Sequence, residues 1–430
     1  MVELAMDSLH VSVSDPVSAS MNFLNEVASR FPDAISLAAG RPHDGFHDVD
    51  DIGRYLDIYV AHLTEQGLNP AAIRTLLTQY GRTNGQIHGL VARLLATDEG
   101  IRVPPEAIGV TAGCQEAMLI VLRGLCADRR DVLLTSSPCY VGITGAARIL
   151  GIEVRSVPED RDGIDPEAVA RAARAARAEG LRPRGLYVLP NFANPSGISL
   201  DVPTRRALLD MAAAEDLLLI EDDPYGLFGL DDAPRPSLKA LDTDQRVIYL
   251  GSFAKSCFPG ARVGFLVADQ AVVDGAGQRM LLAEALSTVK SMVTVNTSPV
   301  AQAVIGGMLV SCGYSLRAAN QEKIRFYRHN MKTLIGALDR RFSPLARTIP
   351  AIRWNVPDGG FFAVLDVPMT VDEKLLETSA RQYGVLWTPM SFFYTDGGGC
   401  QAIRLSCSYV GPEQVEEGVR RLASLVADSM

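Results

Sequence analysis

The sequence predicts an α/β protein built on a mostly parallel central sheet. Two observations carry this. Short apolar runs recur through the middle of the chain: DVLLT at 131–135, GLYVLP at 185–190, DLLLI at 216–220, RVIYL at 246–250 and RVGFLV at 262–267. They are continuously apolar rather than alternating, as strands buried on both faces of a parallel sheet are. Helical patterns separate them, such as PEAVARAARAARAEG at 166–180 and PTRRALLDMAAAED at 203–216. Strand–helix–strand alternation is the pattern of layered α/β domains.

After about residue 310 the texture changes. A long helical stretch, RAANQEKIRFYRHNMKTLIGALDRRF, precedes IRWNVPDGGFFAVLDV and QAIRLSCSYV, which read as a second, smaller α+β domain. The expected organisation is an N-terminal arm and part of the small domain at 1–50, a large domain at 51–310 and a small C-terminal domain at 311–430. No internal repeat or low-complexity linker interrupts it.

Composition narrows the function. Hydrophobic residues make up 47% of the 430, enough for a sizeable core and too many for a disordered chain. A net charge of -9 argues against a phosphate-backbone partner, so no nucleic acid is expected. The arginines of 166–180 fall on one side of an Ala-rich helix and read as a solvated face. No uninterrupted apolar stretch reaches the about 18 residues of a membrane span, and the first 20 residues do not read as a signal peptide. The seven cysteines are scattered without a CxxC pair, the usage of reduced thiols in the cytoplasm.

Chemistry enters through position. Four strands run directly into polar motifs: VLLT into SSPCY, LYVLP into NFANPSG, LLLI into EDDPYG and VIYL into GSFAK. In open α/β sheets ligands bind beyond the carboxyl ends of the strands, so a parallel sheet brings all four motifs to one cleft. Turn chemistry explains any one of them, but not four in succession. Lys255 lies between RVIYL and a turn built on Pro259 and Gly260. A lysine amine must be neutral to attack a carbonyl, and its free pKa is about 10.4; burial and nearby cations lower it. Ser252 and Arg262 around it suit a phosphate. So does the Gly turn of TAGCQEAMLIVLRGL at 111–125, which opens an apolar helix whose N-terminal N–H groups favour anions. Along AIRLSCSY, Arg404, Ser406 and Ser408 share one face of a strand, and the arginine can fork onto a carboxylate.

Taken in order, NPSG, DDPYG and SFAKSCFPGARVG resemble the fold-type I aminotransferases, which use pyridoxal 5'-phosphate (PLP). The resemblance runs from ISLAAGRP at 35–42 to IRLSCS at 403–408. It implies that Lys255 forms the Schiff base (aldimine) with PLP and moves the proton at the substrate α-carbon. Asp222 would hold the pyridine nitrogen protonated, with Tyr225 and Asn194 on the ring oxygen and Tyr140 stacked on the ring. Ser252, Arg262, Cys114 and Gln115 would hold the phosphate. Cys114 stands where the family usually has Ser or Thr, and a thiol is a weaker donor. Arg404 would bind the substrate α-carboxylate, with Gly40 and Asn194 beside the substrate. Tyr80 would reach the phosphate of a neighbouring subunit, implying a homodimer with shared sites. The family often continues with Leu-Arg after the glycine near Tyr80, whereas this chain has His88-Gly89-Leu90.

The substrates implied are an amino acid and a 2-oxo acid. MNFLNEVASRFPDAISLAAGRP and QYGRTNG resemble the branch of aminoadipate, aromatic and secondary-metabolic aminotransferases, including the dihydroxyphenylglycine-forming type. Two alternatives remain at this level. One is another PLP reaction at the α-carbon: decarboxylation, elimination, cyclisation or oxidation. The other is a non-catalytic ligand sensor, which the lack of a basic helix-turn-helix region ahead of residue 35 disfavours. His43 and His47 of HDGFHD have metal-like spacing but no third ligand cluster nearby, so no metal is expected. PDGGFF at 357–362 reads as a structural turn, and Phe392, Phe393 and Tyr394 as either core or pocket.

Overall fold

The computed structural model describes residues 1–14, 26, 29–233 and 235–430. Part of the expected N-terminal arm, including most of MNFLNEVAS, lies outside the described residues.

An eight-stranded sheet forms the centre. Its strands are β1 (Ile108–Thr111), β2 (Asp131–Ser137), β3 (Glu153–Asp160), β4 (Gly163–Ile164), β5 (Arg182–Val188), β6 (Leu218–Asp222), β7 (Val247–Ser252) and β8 (Gly264–Val267). Their spatial order is β1-β8-β7-β6-β5-β2-β3-β4. The five central strands β7, β6, β5, β2 and β3 are mutually parallel. The run RVGFLV supplies β8, which pairs antiparallel with both β7 and β1. Side chains alternate between two cores. Leu134, Leu186, Leu219 and Val247 enter one, and Leu133, Tyr187, Ile220 and Ile248 the other. This double burial is why the strands are apolar at every position rather than at alternate ones.

The helices begin where their sequences cap them. We number those used below α1 (Asp50–Glu65), α2 (His88–Leu94), α3 (Cys114–Leu125), α4 (Val141–Leu150), α5 (Pro166–Ala178), α6 (Val202–Ala214), α7 (Pro299–Ser311), α8 (Gln321–Ala346) and α9 (Pro412–Asp428). Asp165, Asp201 and Ser298 accept N–H groups of the first turns of α5, α6 and α7, each with a proline among the first two helical residues. The arginine-rich face of α5 is not simply solvated: Arg174 and Arg177 converge on Glu215 beyond α6 at 2.6 and 2.7 Å. The His88-Gly89-Leu90 departure does not break the helix, since α2 starts at His88 itself.

A second, antiparallel sheet of four strands has the order β9 (Arg353–Trp354), β10 (Phe362–Asp366), β12 (Ala402–Ser406), β11 (Thr388–Pro389). α8 and α9 cover it, and their apolar faces share its core with Leu37 and Ala38. The segment at 37–41 therefore leaves the core of the small sheet and runs toward the large one. Among the described residues, no helix is long and apolar enough to cross a membrane.

Candidate active site

The carboxyl ends of β2, β5, β6 and β7 lie on one edge of the large sheet, because those strands are parallel. A cavity of about 320 Å³ opens there, bounded by those strand ends, the segment Ala38–Arg41, Phe362 and Arg404. Each of the four polar motifs contributes to it.

Lys255 stands one residue from the end of a single helical turn, Phe253–Ser256, that follows β7 and is capped by Ser252 Oγ at 3.2 Å from the Ala254 N–H. Its Nζ donates to the carbonyl of Gly40 at 2.7 Å. Glycine at position 40 leaves room for the Phe362 ring, since a Cβ there would sit 2.6 Å from Phe362 Cζ and push the ring aside. Burial, then the guanidiniums of Arg262 and Arg404, lower the Lys255 pKa to about 8. About a tenth of the amine is therefore neutral at about pH 7, and about half at about pH 8. The two carbonyls that follow, of Ser256 and Cys257, accept the buried Lys323 ammonium of α8 at 3.1 and 3.0 Å.

Asp222 closes β6 and is 3% exposed. It accepts the Tyr187 hydroxyl at 2.7 Å and the Cys114 thiol at 3.4 Å. Burial raises its pKa to about 6, while those two hydrogen bonds pull it back down. Its neighbour Asp223 takes no part in the cavity lining and accepts Asn191 Nδ2 at 3.0 Å. The register explains the division: successive residues of a strand point to opposite faces.

At another part of the cavity wall, Gly113 at φ 82° turns the chain into α3, whose N-terminus carries no side-chain cap. A Cβ on Gly113 would lie 2.6 Å from Arg262 Nη2, and one on Gly264 2.8 Å from the Cys114 backbone nitrogen. The two glycines thus let the Arg262 guanidinium and the end of β8 close on the helix terminus. Arg262 itself holds a left-handed φ of 50°, a strained conformation for a non-glycine residue. Ser252 faces Gly264 across the β7–β8 pair. Cys114 turns its thiol to Asp222, leaving the helix N–H groups as the donors at this end. Gln115 donates to the Gly142 carbonyl at 2.8 Å.

Arg404 is 3% exposed on β12. Its Nη1 donates to Asn194 Oδ1 at 2.7 Å, and Nη2 to the Ala38 carbonyl at 2.8 Å and to Thr388 Oγ1, its cross-strand partner, at 3.2 Å. The guanidinium lies 4.4 Å from the Phe362 ring centre and 4.8 Å from that of Phe393. Its Nε is buried and has no partner among the described residues. Tyr225 is held by Asn194, and burial raises the phenols of Tyr225 and Tyr140 well above their ordinary range.

The structure therefore brings Gly40, Cys114, Gln115, Tyr140, Asn194, Asp222, Tyr225, Ser252, Lys255, Arg262 and Arg404 to one cavity. Tyr80 does not join them: it is 86% exposed and outside the lining. His43 packs its ring against Phe46 and Phe326. The PDGGFF turn does more than turn, because Phe362 walls the cavity and carries the Arg404 cation on its face. Sequence reasoning missed Tyr187, Thr388 and Arg41. For Tyr187 a signal existed: a hydroxyl inside an otherwise apolar buried strand needs a partner.

Comparison with known proteins places this arrangement. The family described as aminotransferase class I and II matches residues 52–422. The chain belongs to that family. It is similar to the (S)-3,5-dihydroxyphenylglycine transaminase of Amycolatopsis orientalis, 48% identical over 99% of this chain and 95% of that one. Among solved structures, a kynurenine aminotransferase of Pyrococcus horikoshii, crystallised in complex with PMP, has a TM-score of 0.80 at 25% identity, covering 95% of this chain and 94% of that one. An α-aminoadipate aminotransferase of Thermus thermophilus, complexed with a phosphopyridoxyl-leucine, has a TM-score of 0.78 at 28% identity over 99% of both chains.

The aminotransferase is thus a fold-type I, PLP-dependent enzyme. The cavity suits that cofactor by its own chemistry. It pairs a partly neutral, half-buried lysine with a buried carboxylate, and it sets Arg262 beside a helix N-terminus that has no side-chain cap among the described residues, an arrangement that suits a dianion.

Proposed function

We propose that this aminotransferase exchanges the amino group of an arylglycine of the 3,5-dihydroxyphenylglycine type with a 2-oxo acid, as a step of secondary metabolism. The observation that carries the reading is the 48% identity to a transaminase of that name over nearly the full length of both chains. The cavity supports it with aromatic walls, Tyr140 and Phe362, beside Arg404.

PLP, when bound, supplies an electron sink for negative charge at the amino acid's α-carbon. The chain's residues do the rest. Arg404, gripped by Asn194, Ala38 and Thr388 and set between two phenylalanines, orients the α-carboxylate with its remaining donor capacity. Lys255, neutral in part at pH 7–8, takes the α-proton and returns it on the other side of the exchange. Asp222, held in place by Tyr187, would keep the pyridine nitrogen protonated. Tyr225 and Asn194 would hydrogen-bond the ring oxygen. Arg262, Ser252 and the N–H groups at Cys114 and Gln115 would hold the phosphate, and Tyr140 would pack on the ring.

Tyr80 serves the phosphate of the partner subunit in a homodimer; its 86% exposure in the single chain is consistent with a role outside its own site. The large PLP-binding domain spans 51–310 and the small domain 311–430 with part of 1–50, a division supported by the two separate sheets and by Leu37 and Ala38 in the small core. The unpaired state of every described cysteine supports a reducing, cytoplasmic setting.

The test is a panel of amino donors added to the PLP-loaded enzyme, followed by absorbance as the cofactor converts to its pyridoxamine form. 3,5-Dihydroxyphenylglycine should convert it with the highest kcat/KM, with the arylglyoxylate as stoichiometric product. Conversion by aminoadipate or kynurenine at a rate about tenfold higher or more, a difference of about 1.4 kcal/mol, would refute the substrate.

A further inference from the structure

A buried ion pair stands beside the helix terminus assigned to the phosphate, and the mechanism above makes no use of it. Glu116, in the first turn of α3, is 8% exposed, and Lys290, in the helix Leu282–Val293, is 2% exposed. The Lys290 ammonium donates to both carboxylate oxygens, at 3.2 and 3.1 Å, and to Thr294 Oγ1 at 2.9 Å. Thr294 in turn donates to Glu116 Oε1. All three donors of the lysine are thereby occupied. Neither residue is among those that line the cavity. Lysine and glutamate are seldom buried this deeply unless paired. Yet such a pair, replaced by neutral side chains of similar volume, often leaves stability unchanged or improved. Stability alone therefore gives no reason for it.

Its place in the chain gives one. Glu116 is the third residue of α3, a position from which an acid reaches back to the free N–H groups at the start of a helix. Here Oε2 accepts the Ala112 N–H at 2.6 Å, one residue before the Gly113 turn. The Thr111 hydroxyl holds the other side of that turn, donating to the Gly113 carbonyl at 3.0 Å. The same turn sets the N–H groups of Cys114 and Gln115 and lets the Arg262 guanidinium close on Gly113. Glu116 thus fixes the geometry of the phosphate donors from outside the cavity.

An acid in that position brings a difficulty. A carboxylate and a phosphate dianion both favour a helix N-terminus, and they repel each other. Ala112 and Cys114 are two residues apart, at most about 7 Å. The Glu116 carboxylate therefore lies within about 10 Å of the Cys114 N–H. Across that distance in a partly buried site, one uncompensated negative charge weakens the binding of a dianion by about 10- to 100-fold. Lys290 supplies the compensation.

We propose that Lys290 is a positioning residue for the cofactor phosphate. It cancels the charge of Glu116, so that Glu116 braces the Gly113 turn while the helix N-terminus remains favourable to a dianion. This rests on the assignment of the phosphate to Arg262 and that terminus.

The experiment titrates full-length enzyme, freed of its cofactor, with PLP and with pyridoxal, which differ only in the phosphate. Absorbance changes give the two affinities, and their ratio is the readout. Lys290→Met should lower the ratio of PLP to pyridoxal affinity by about 10- to 100-fold while pyridoxal affinity stays within about threefold. Glu116→Gln, whose amide oxygen can still accept the Ala112 N–H, should keep the ratio at or above that of wild type. Both substitutions in one chain should restore the ratio to within about threefold of wild type. That chain holds no unpaired charge from this pair, so it decides the matter even where Lys290→Met does not fold. The proposal is overturned by a ratio in Lys290→Met within about threefold of wild type, by a larger fall in Glu116→Gln or in the double variant, or by an equal loss for PLP and pyridoxal, which is what a merely structural role gives. Arg262→Met separates this from the reading beneath it. It should lower the ratio in any case, and if it does not, the phosphate assignment itself fails.

Discussion

Replacing Arg404 by methionine tests the substrate end of the site most directly. Methionine keeps most of the volume between Phe362 and Phe393 and removes the charge. Three consequences follow from the contacts. The first is the substrate: losing a charged, two-point contact in a site only 3% exposed should cost about 2–4 kcal/mol, or roughly 30- to 1000-fold in affinity for amino and oxo acids. The second is stability. Asn194 Oδ1 and the Ala38 carbonyl lose their donors at 2.7 and 2.8 Å. A buried acceptor left alone costs about 1–3 kcal/mol, offset in part because a buried guanidinium no longer has to be desolvated. A net loss of about 1–2 kcal/mol is expected from urea melts. The third is Lys255. Arg404 is one of the cations that hold its pKa down at about 8, so removing it moves the pKa up and shrinks the neutral fraction at neutral pH. The rate at which cofactor-free protein captures PLP should therefore show its pH midpoint displaced upward. Stopped-flow half-reactions give the affinity and dialysis gives PLP binding. Unchanged substrate affinity, or a loss of PLP affinity as large as the loss of substrate affinity, would refute the assignment.

Two further expectations concern the cofactor end. Asp222 has a folded pKa of about 6 against an ordinary 3.8, so the folded state binds the extra proton between those values. Its stability contribution is present at low pH and lost as pH rises through about 6, a penalty of about 3 kcal/mol above that point. Asp222→Asn in cofactor-free protein should hence be more stable than wild type by up to about 3 kcal/mol at about pH 8 and level with it near about pH 4, while losing turnover with PLP; a variant less stable at the higher pH in urea melts would contradict this. Shared sites are tested by mixing Tyr80→Phe chains with Lys255→Ala chains. In the heterodimer the Lys255-intact site receives the partner's unaltered tyrosine, so its PLP affinity should exceed that of the Tyr80→Phe homodimer by the about 0.5–1.5 kcal/mol of one hydrogen bond. No recovery on mixing, or a fully active monomer, would place Tyr80 elsewhere.

The α/β class and the cleft were legible in linear order because they depend on local rules. A continuously apolar run such as RVIYL must be covered on both faces, and a polar motif directly after it must lie at the sheet's carboxyl edge. Lys255, Asp222 and Arg262 could be named for that reason, each being fixed by a strand a few residues away. The texture change near 310 likewise announced a second sheet. What chain order could not reveal was contact between distant segments. Nothing in ISLAAGRP says that the Gly40 carbonyl meets Lys255 or that Arg41 lies over Tyr409, because those contacts depend on how the core around Leu37 packs beneath α8 and α9. The partner of the Cys114 thiol was equally hidden, since it depends on the rotamer between α3 and β6 and not on the residue type. The pKa values belong in part to the same class: the lowering of Lys255 needs burial and two cations, Arg262 from the turn before β8, near it in sequence, and Arg404 from β12, which reaches it only when the two sheets come together.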